Sequence, residues 1–240
     1  MNRGTVDRRQ WTGERGQITD NSIDLIHLGR VIWADLPLLM VINLLATLAG
    51  TVVMGVALAV AALAPIVAAL LMGPVWIGAI AISRCILGGE AAGVRDLALL
   101  MRRYARTGIG LAMLPATVAA ILIASAGIRS ANPDDRWLML PIIIDALVLV
   151  VLSLGAILAF PLAIMTGVRG RDCWVAALAL AGRNLLATLG VAALIVLLAL
   201  SARFLGPMLL LIAAGPLAVL CTATTHGALQ GNPTIDRRTR

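Results

Sequence analysis

The chain has 240 residues, of which 60% are hydrophobic and only 13% charged, and its mean hydropathy is +0.98. A soluble domain averages about half apolar and about a quarter charged, so this composition excludes one; it equally excludes a disordered chain and a disulfide-stapled secreted module. All nineteen basic residues are arginine, against twelve acidic ones, for a net charge of +7. The class that remains is all-α: a polytopic bundle of membrane-spanning helices.

In chain order, residues 1–22 are polar and read as a cytoplasmic tail without the short apolar run and A-x-A site of a cleavable signal. Ile23 to Trp33 mixes apolar and polar positions and suits a short interfacial helix, so 1–34 forms one N-terminal unit. From Leu36 to Leu87 runs a 52-residue stretch in which Arg84 is the only charge. One span needs about 20 residues, so the stretch predicts two, at about 35–59 and 62–87. Their turn is expected between Gly55 and Pro65, and the second span is expected to break or kink at Gly73-Pro74.

Residues 88–107 predict an amphipathic helix on the membrane surface. Val94, Leu97, Ala98, Met101, Tyr104 and Ala105 recur at helical spacing, with arginines on the other face. A third span follows at about 108–128. The turn chemistry of Asn132-Pro133-Asp134 then leads to a fourth span at about 138–166. A basic connector through Arg169 and Arg171 opens a short helix over 173–183. The fifth span covers about 184–203 and the sixth about 207–228, and 229–240 is a polar tail. The transmembrane domain is thus 35–228. Arg95-Asp96 with Arg106, and Arg171-Asp172 with Arg183, form a weak internal echo at spacings of 11 and 12 residues.

Cytoplasmic loops of membrane proteins carry the excess of arginine. With six spans and both ends inside, sixteen arginines lie inside and three (Arg129, Arg136 and Arg203) outside. The expected location is therefore the bacterial inner membrane, multi-pass, with both termini cytoplasmic. Arg95, Arg102, Arg103, Arg106, Arg169, Arg171 and Arg183 form a basic cytoplasmic surface that meets anionic headgroups rather than nucleic acid.

Motifs for chemistry are scarce. No P-loop and no H-E-x-x-H is present, and His27 and His226 both fall near the cytoplasmic face. Cys85, Cys173 and Cys221 form no C-x-x-C. No catalytic residue, metal site or cofactor is expected. Three polar residues within or near spans form a candidate intramembrane site: Asp145, Asn43 and Arg84. Asp145 carries a functional hypothesis by its position in the bilayer, against a plainer reading in which it pairs near the outer surface with Arg129 or Arg136. Asn43 suits an interhelical bond, and Arg84 can snorkel to headgroups. Gly and Ala recur at four-residue spacing in Ala46/Gly50, Gly55/Ala59, Gly155/Ala159/Ala163 and Ala177/Ala181. Such faces pack helices closely, within the bundle or against another membrane subunit.

One stretch resembles a known family. Gly73-Pro74-Val-Trp-Ile-Gly-Ala79, Arg84, Gly89-Glu90, Val94-Arg95-Asp96-Leu97 and Arg102-Arg103-Tyr104 look like the signature of the YesL-like (DUF624) membrane proteins. Asn43-Leu44-Leu45 is similar to a motif in their first span. The likeness is densest over 36–112 and departs in two ways: a longer gap between Asn43 and Gly73, and Ala, Leu and Val where aromatics are common in the family. It implies a six-span, non-enzymatic accessory or scaffold protein associated with carbohydrate ABC importers, with no catalytic residue to carry over. The residues alone leave two further readings: a transporter or permease subunit in its own right, and a structural subunit of a larger membrane complex.

Overall fold

The computed structural model describes residues 36–88, 92–132, 137, 139–168, 170–205 and 210–230. Within them the chain is all-α. Helix α1 is Leu36–Ala59, α2 Ala64–Leu87, α3 Val94–Ala131, α4 Met139–Thr166, α5 Gly170–Arg183, α6 Leu185–Leu205 and α7 Leu210–Gln230. Four segments are long and apolar enough to cross a membrane: Leu36–Ala59, Ala61–Leu87, Val94–Ala131 and Met139–Thr166. A fifth arises if α5 and the first part of α6, which meet at 101°, are counted as one bent unit. The expected interfacial helix over 23–33 and both tails lie outside the described residues.

Chain reversals follow local chemistry. The first is a single 3-10 turn, Ala61–Leu63, preceded by extended Val60; Pro65 then sits in the first turn of α2, where its missing N–H costs nothing. The turn between α4 and α5 uses two left-handed glycines, Gly167 at φ +72° and Gly170 at φ +64°, a conformation that a Cβ disfavours. At the start of α3, the Gly93 N–H donates to the Asp96 carboxylate (2.9 Å), which occupies a free donor at the helix N-terminus.

Two expectations are corrected. The amphipathic segment and the third span are not separate elements: α3 runs unbroken for 38 residues, about 57 Å at 1.5 Å per residue. The arginine run marks a change in surface polarity, but Arg, Met, Leu and Ala are all strong helix formers and nothing before Pro115 removes a backbone bond. Leu97 is buried on its inner face, whereas Val94 and Ala98, expected there too, are exposed. Of the break or kink expected at Gly73-Pro74, the break is absent: α2 continues as one helix through both residues. Pro74 forfeits one bond, to the Leu70 carbonyl, while Gly73 serves the packing of α3.

That packing sets the register of the bundle. A Cβ on Gly108 would stand 2.6 Å from the Gly73 carbonyl oxygen and 2.8 Å from Ile77, and one on Gly73 would lie 3.0 Å from the Gly108 oxygen. The α2 and α3 backbones therefore touch here, as small residues allow in membrane helices. Gly78 faces Leu97 and Met101, so the two helices run antiparallel. Gly155 of α4 receives Trp174 and Leu178 of α5 in the same manner. The internal echo in the sequence thus coincides with two helix pairs in which a glycine receives side chains from the helix that follows.

The core is lopsided. Ile77, Ala79, Ile80, Ala81 and Ile82 of α2 are at most 3% exposed, and they cluster with Leu97, Leu158 to Ile164, Cys173, Ala177 and Leu180. This dense end comprises the C-terminal turns of α2 and α4, the start of α3, and α5. The opposite end bares large apolar side chains, among them Leu58, Ile121, Ile128, Ile143 and Leu147. Exposed side chains of this kind suit contact with lipid rather than water.

Candidate functional site

The three polar residues expected to share an intramembrane site sit on three different helices, and Asn43 and Arg84 bond to different partners. Asn43 is 4% exposed on α1, and its Oδ1 accepts the Gly215 N–H of α7 at 2.6 Å. A Cβ on Gly215 would press on Leu39 at 3.0 Å, so the glycine permits the close approach that this bond needs. Asn43 is a structural tie between the first and last described helices.

Arg84, at the end of α2, does not simply reach for headgroups. Its guanidinium donates to the Ile164 carbonyl at 2.9 Å, in the last turn of α4. The last carbonyls of a helix have no partner within it, and the helix dipole leaves that end partially negative. Arg84 therefore caps α4, while Gly167 N–H satisfies the Ala163 carbonyl (3.1 Å) and Thr166 Oγ donates to Leu162 (2.8 Å).

Asp145 lies near the other end of α4, 19 residues from Ile164 and so about 28 Å along the axis. It is half-buried, and among the described residues it accepts no hydrogen bond. Arg136, one of its two expected partners, lies outside the described residues.

The remaining buried polar side chains are satisfied locally. Ser83, Thr188, Thr222 and Thr225 each donate to the carbonyl four residues earlier, at 2.7–3.0 Å. The Cys173 thiol donates to the Ala159 carbonyl across the α4–α5 contact (3.3 Å). No buried side-chain nitrogen or oxygen among the described residues lacks a partner. Among those residues, no group of three or more His, Cys, Asp or Glu side chains comes together. The hydroxyls back-bond within their own helices and leave no converging polar cluster at the helix contacts.

The basic surface is spread along two helices. Arg95, Arg102 and Arg106 recur at i, i+7 and i+11 and share one exposed face of α3, with Arg103 beside them over the Tyr104 ring (5.5 Å). Arg171 and Arg183 are exposed at the two ends of α5, and Arg169 lies outside the described residues. All six described arginines flank the dense end of the bundle. The small-residue faces divide: Gly155, Ala159, Ala163, Ala177 and Ala181 are buried and join α4 to α5, whereas Gly55 and Ala59 are exposed, and Gly55 has nothing within 4 Å.

One apolar groove lies between α2, α3 and α4, about 340 Å³ in volume. Pro65, Ala69 and Trp76 line it from α2, Ala112, Pro115 and Ala119 from α3, and Leu149 and Phe160 from α4. It opens immediately beyond the Gly73–Gly108 contact, where the backbones of α2 and α3 separate.

No protein-family model matches the sequence, and neither a curated protein nor a solved structure shows detectable similarity to it.

Proposed function

We propose that this chain is a non-enzymatic, six-span protein of the bacterial inner membrane with both termini cytoplasmic, acting as an accessory or scaffold of a transport system. In this reading α1 to α4, α6 and α7 are the spans, and the arginines of α3 and α5 face the cytoplasm. The observation that carries it is the use of the interior polar groups. Asn43, Ser83, Thr188, Thr222 and Thr225 all spend their hydrogen bonds on backbone, and Arg84 is engaged at a helix end. A solute path needs polar groups turned toward the solute. Here Asn43 and Arg84 join one helix to another and the hydroxyls bond within their own helices, while the arginines offer a charged surface at the densely packed end. The resemblance to the YesL-like proteins points the same way, toward a carbohydrate importer as the assembly served. Purified protein in liposomes tests the reading: no sugar uptake is expected from this chain alone, and uptake without any partner subunit would overturn it.

A permease reading has one observation in its favour, the half-buried Asp145 within the apolar α4. It requires that Asp145→Asn abolish uptake in cells while the protein still inserts. A role as structural subunit of a larger complex draws on the outward Gly55/Ala59 face.

A further inference from the structure

We infer that α5 and α6 are a hinged counterpart of α3, and that α6 swings between the bent form and a straight form in which it packs along α4. Two helix pairs share one plan at a separation of 77 residues. Gly78-Ala79-Ile80 of α2 recurs as Gly155-Ala156-Ile157 of α4. Gly78 receives Leu97 and Met101 of α3, and Gly155 receives Trp174 and Leu178 of α5, in each case the residue 77 further on. Arg106 recurs as Arg183. At the same offset the rest of α3, residues 107–131, corresponds to 184–208, which contains α6.

The two pairs part after the shared arginine. α3 runs straight on, and its Gly108 meets Gly73 backbone to backbone. In the second pair the chain turns by 101° between α5 and α6. The counterparts of Gly73 and Gly108 are Val150 and Leu185, whose side chains hold two helix backbones further apart than glycines do. The clamp that keeps α3 on α2 is therefore missing, and Val150 is 56% exposed where Gly73 is buried.

The break is one residue long. The Asn184 N–H still donates to the Leu180 carbonyl, and its own carbonyl accepts the Thr188 N–H, both at 3.0 Å. Helical bonds thus lead into the break and out of it. The buried stripe of α5, Cys173, Ala177 and Leu180, continues in steps of three and four through Asn184, Thr188 and Val191. Straightened, α5 and α6 present that unbroken stripe to α4, as α3 presents Leu97, Met101 and Gly108 to α2. Little holds α6 in the bent form: among its described side chains only Thr188 and Val191 are buried, and Leu185, Leu186, Val196 and Leu197 are exposed. In lipid those exposed side chains cost neither form hydrophobic free energy, so helix contacts decide between the two.

A distance separates the forms. Val175 and Val196 are exposed, 21 residues apart, on either side of Asn184. They lie about 32 Å apart along a straight helix and about 20 Å apart around the 101° bend. Ala98 and Ala119, their counterparts on α3, supply the straight reference. Each pair is changed to Cys in the full chain with Cys85, Cys173 and Cys221 replaced by Ala, spin-labelled, and measured in bilayers by pulsed double electron–electron resonance. The α3 pair is expected at one long distance, and the Val175–Val196 pair at both distances. Val150→Gly with Leu185→Gly restores the glycine clamp and should raise the share of the long distance; should that protein not fold, Val150→Gly alone should shift the share in the same direction. A single Val175–Val196 distance of either length, or a share unchanged in a folded glycine variant, would overturn the hinge.

Discussion

The contact between Gly73 and Gly108 can be tested by adding a single methyl group. In Gly108→Ala the new Cβ would stand 2.6 Å from the Gly73 carbonyl oxygen and 2.8 Å from Ile77 Cγ2. The nearer atom belongs to the backbone of a helix and cannot swing aside, so α2 and α3 must separate by several tenths of an ångström. Among the described residues this is the most extensive helix contact. Overpacking of this kind costs about 1–3 kcal/mol, partly offset by the better helix propensity of alanine, worth at most about 1 kcal/mol. For a chain of this size, each kcal/mol lowers Tm by roughly 2–4 °C. Thermal unfolding in a mild detergent, followed by the loss of the monodisperse peak in gel filtration, should therefore show Gly108→Ala lowered by several degrees. Gly110→Ala is the matched control: it adds the same methyl two residues away, where nothing lies within 4 Å, and should be neutral or slightly stabilising. Equal Tm values for the two variants would refute the close approach, and with it the register on which the groove depends.

Other perturbations follow from the same geometry. Asn43→Ala removes the acceptor of the Gly215 N–H and should destabilise by about 1 kcal/mol, within the range of membrane hydrogen bonds and of a buried donor left unpaired; the same thermal assay measures it. Arg84→Gln takes the charge from the end of α4 and should cost about 1–2 kcal/mol, with amide exchange accelerating in the last turn of α4 and the turn after it, and not at Asp145; uniform acceleration along α4 would contradict the capping role. Gly155→Val should displace Trp174 and Leu178, visible as a red shift in the fluorescence of a protein whose only tryptophan is Trp174. Under the accessory reading, Asp145→Asn should leave uptake by cells unchanged.

Much of the helical layout is legible because membrane helices are written in plain terms: long apolar runs broken by polar or proline-bearing turns. The chain reversal at Val60 falls inside the Gly55–Pro65 window for that reason. The sequence misleads where polarity and backbone disagree. Arg102, Arg103 and Arg106 end an apolar pattern without breaking any hydrogen bond, so one helix reads as two. Gly73-Pro74 carries the residues of a break, yet a membrane helix tolerates the lost bond and uses the glycine for packing. Long-range pairing was the least accessible. Nothing local to Arg84 indicates the Ile164 carbonyl 80 residues away, and nothing local to Asn43 indicates Gly215. The groove is invisible in sequence for a related reason: its alanines come from two helices and its aromatics from two, and alanine is common throughout the chain.

The scaffold claim is tested most directly by affinity purification of the full chain from native membranes in mild detergent, followed by identification of what co-elutes. Permease and ATP-hydrolysing subunits of a transport system are expected in fixed ratio with it. They should be lost when Arg95, Arg102 and Arg106 are reversed to Glu, with insertion unchanged. Elution of the chain alone, at full yield and still folded, would contradict the account.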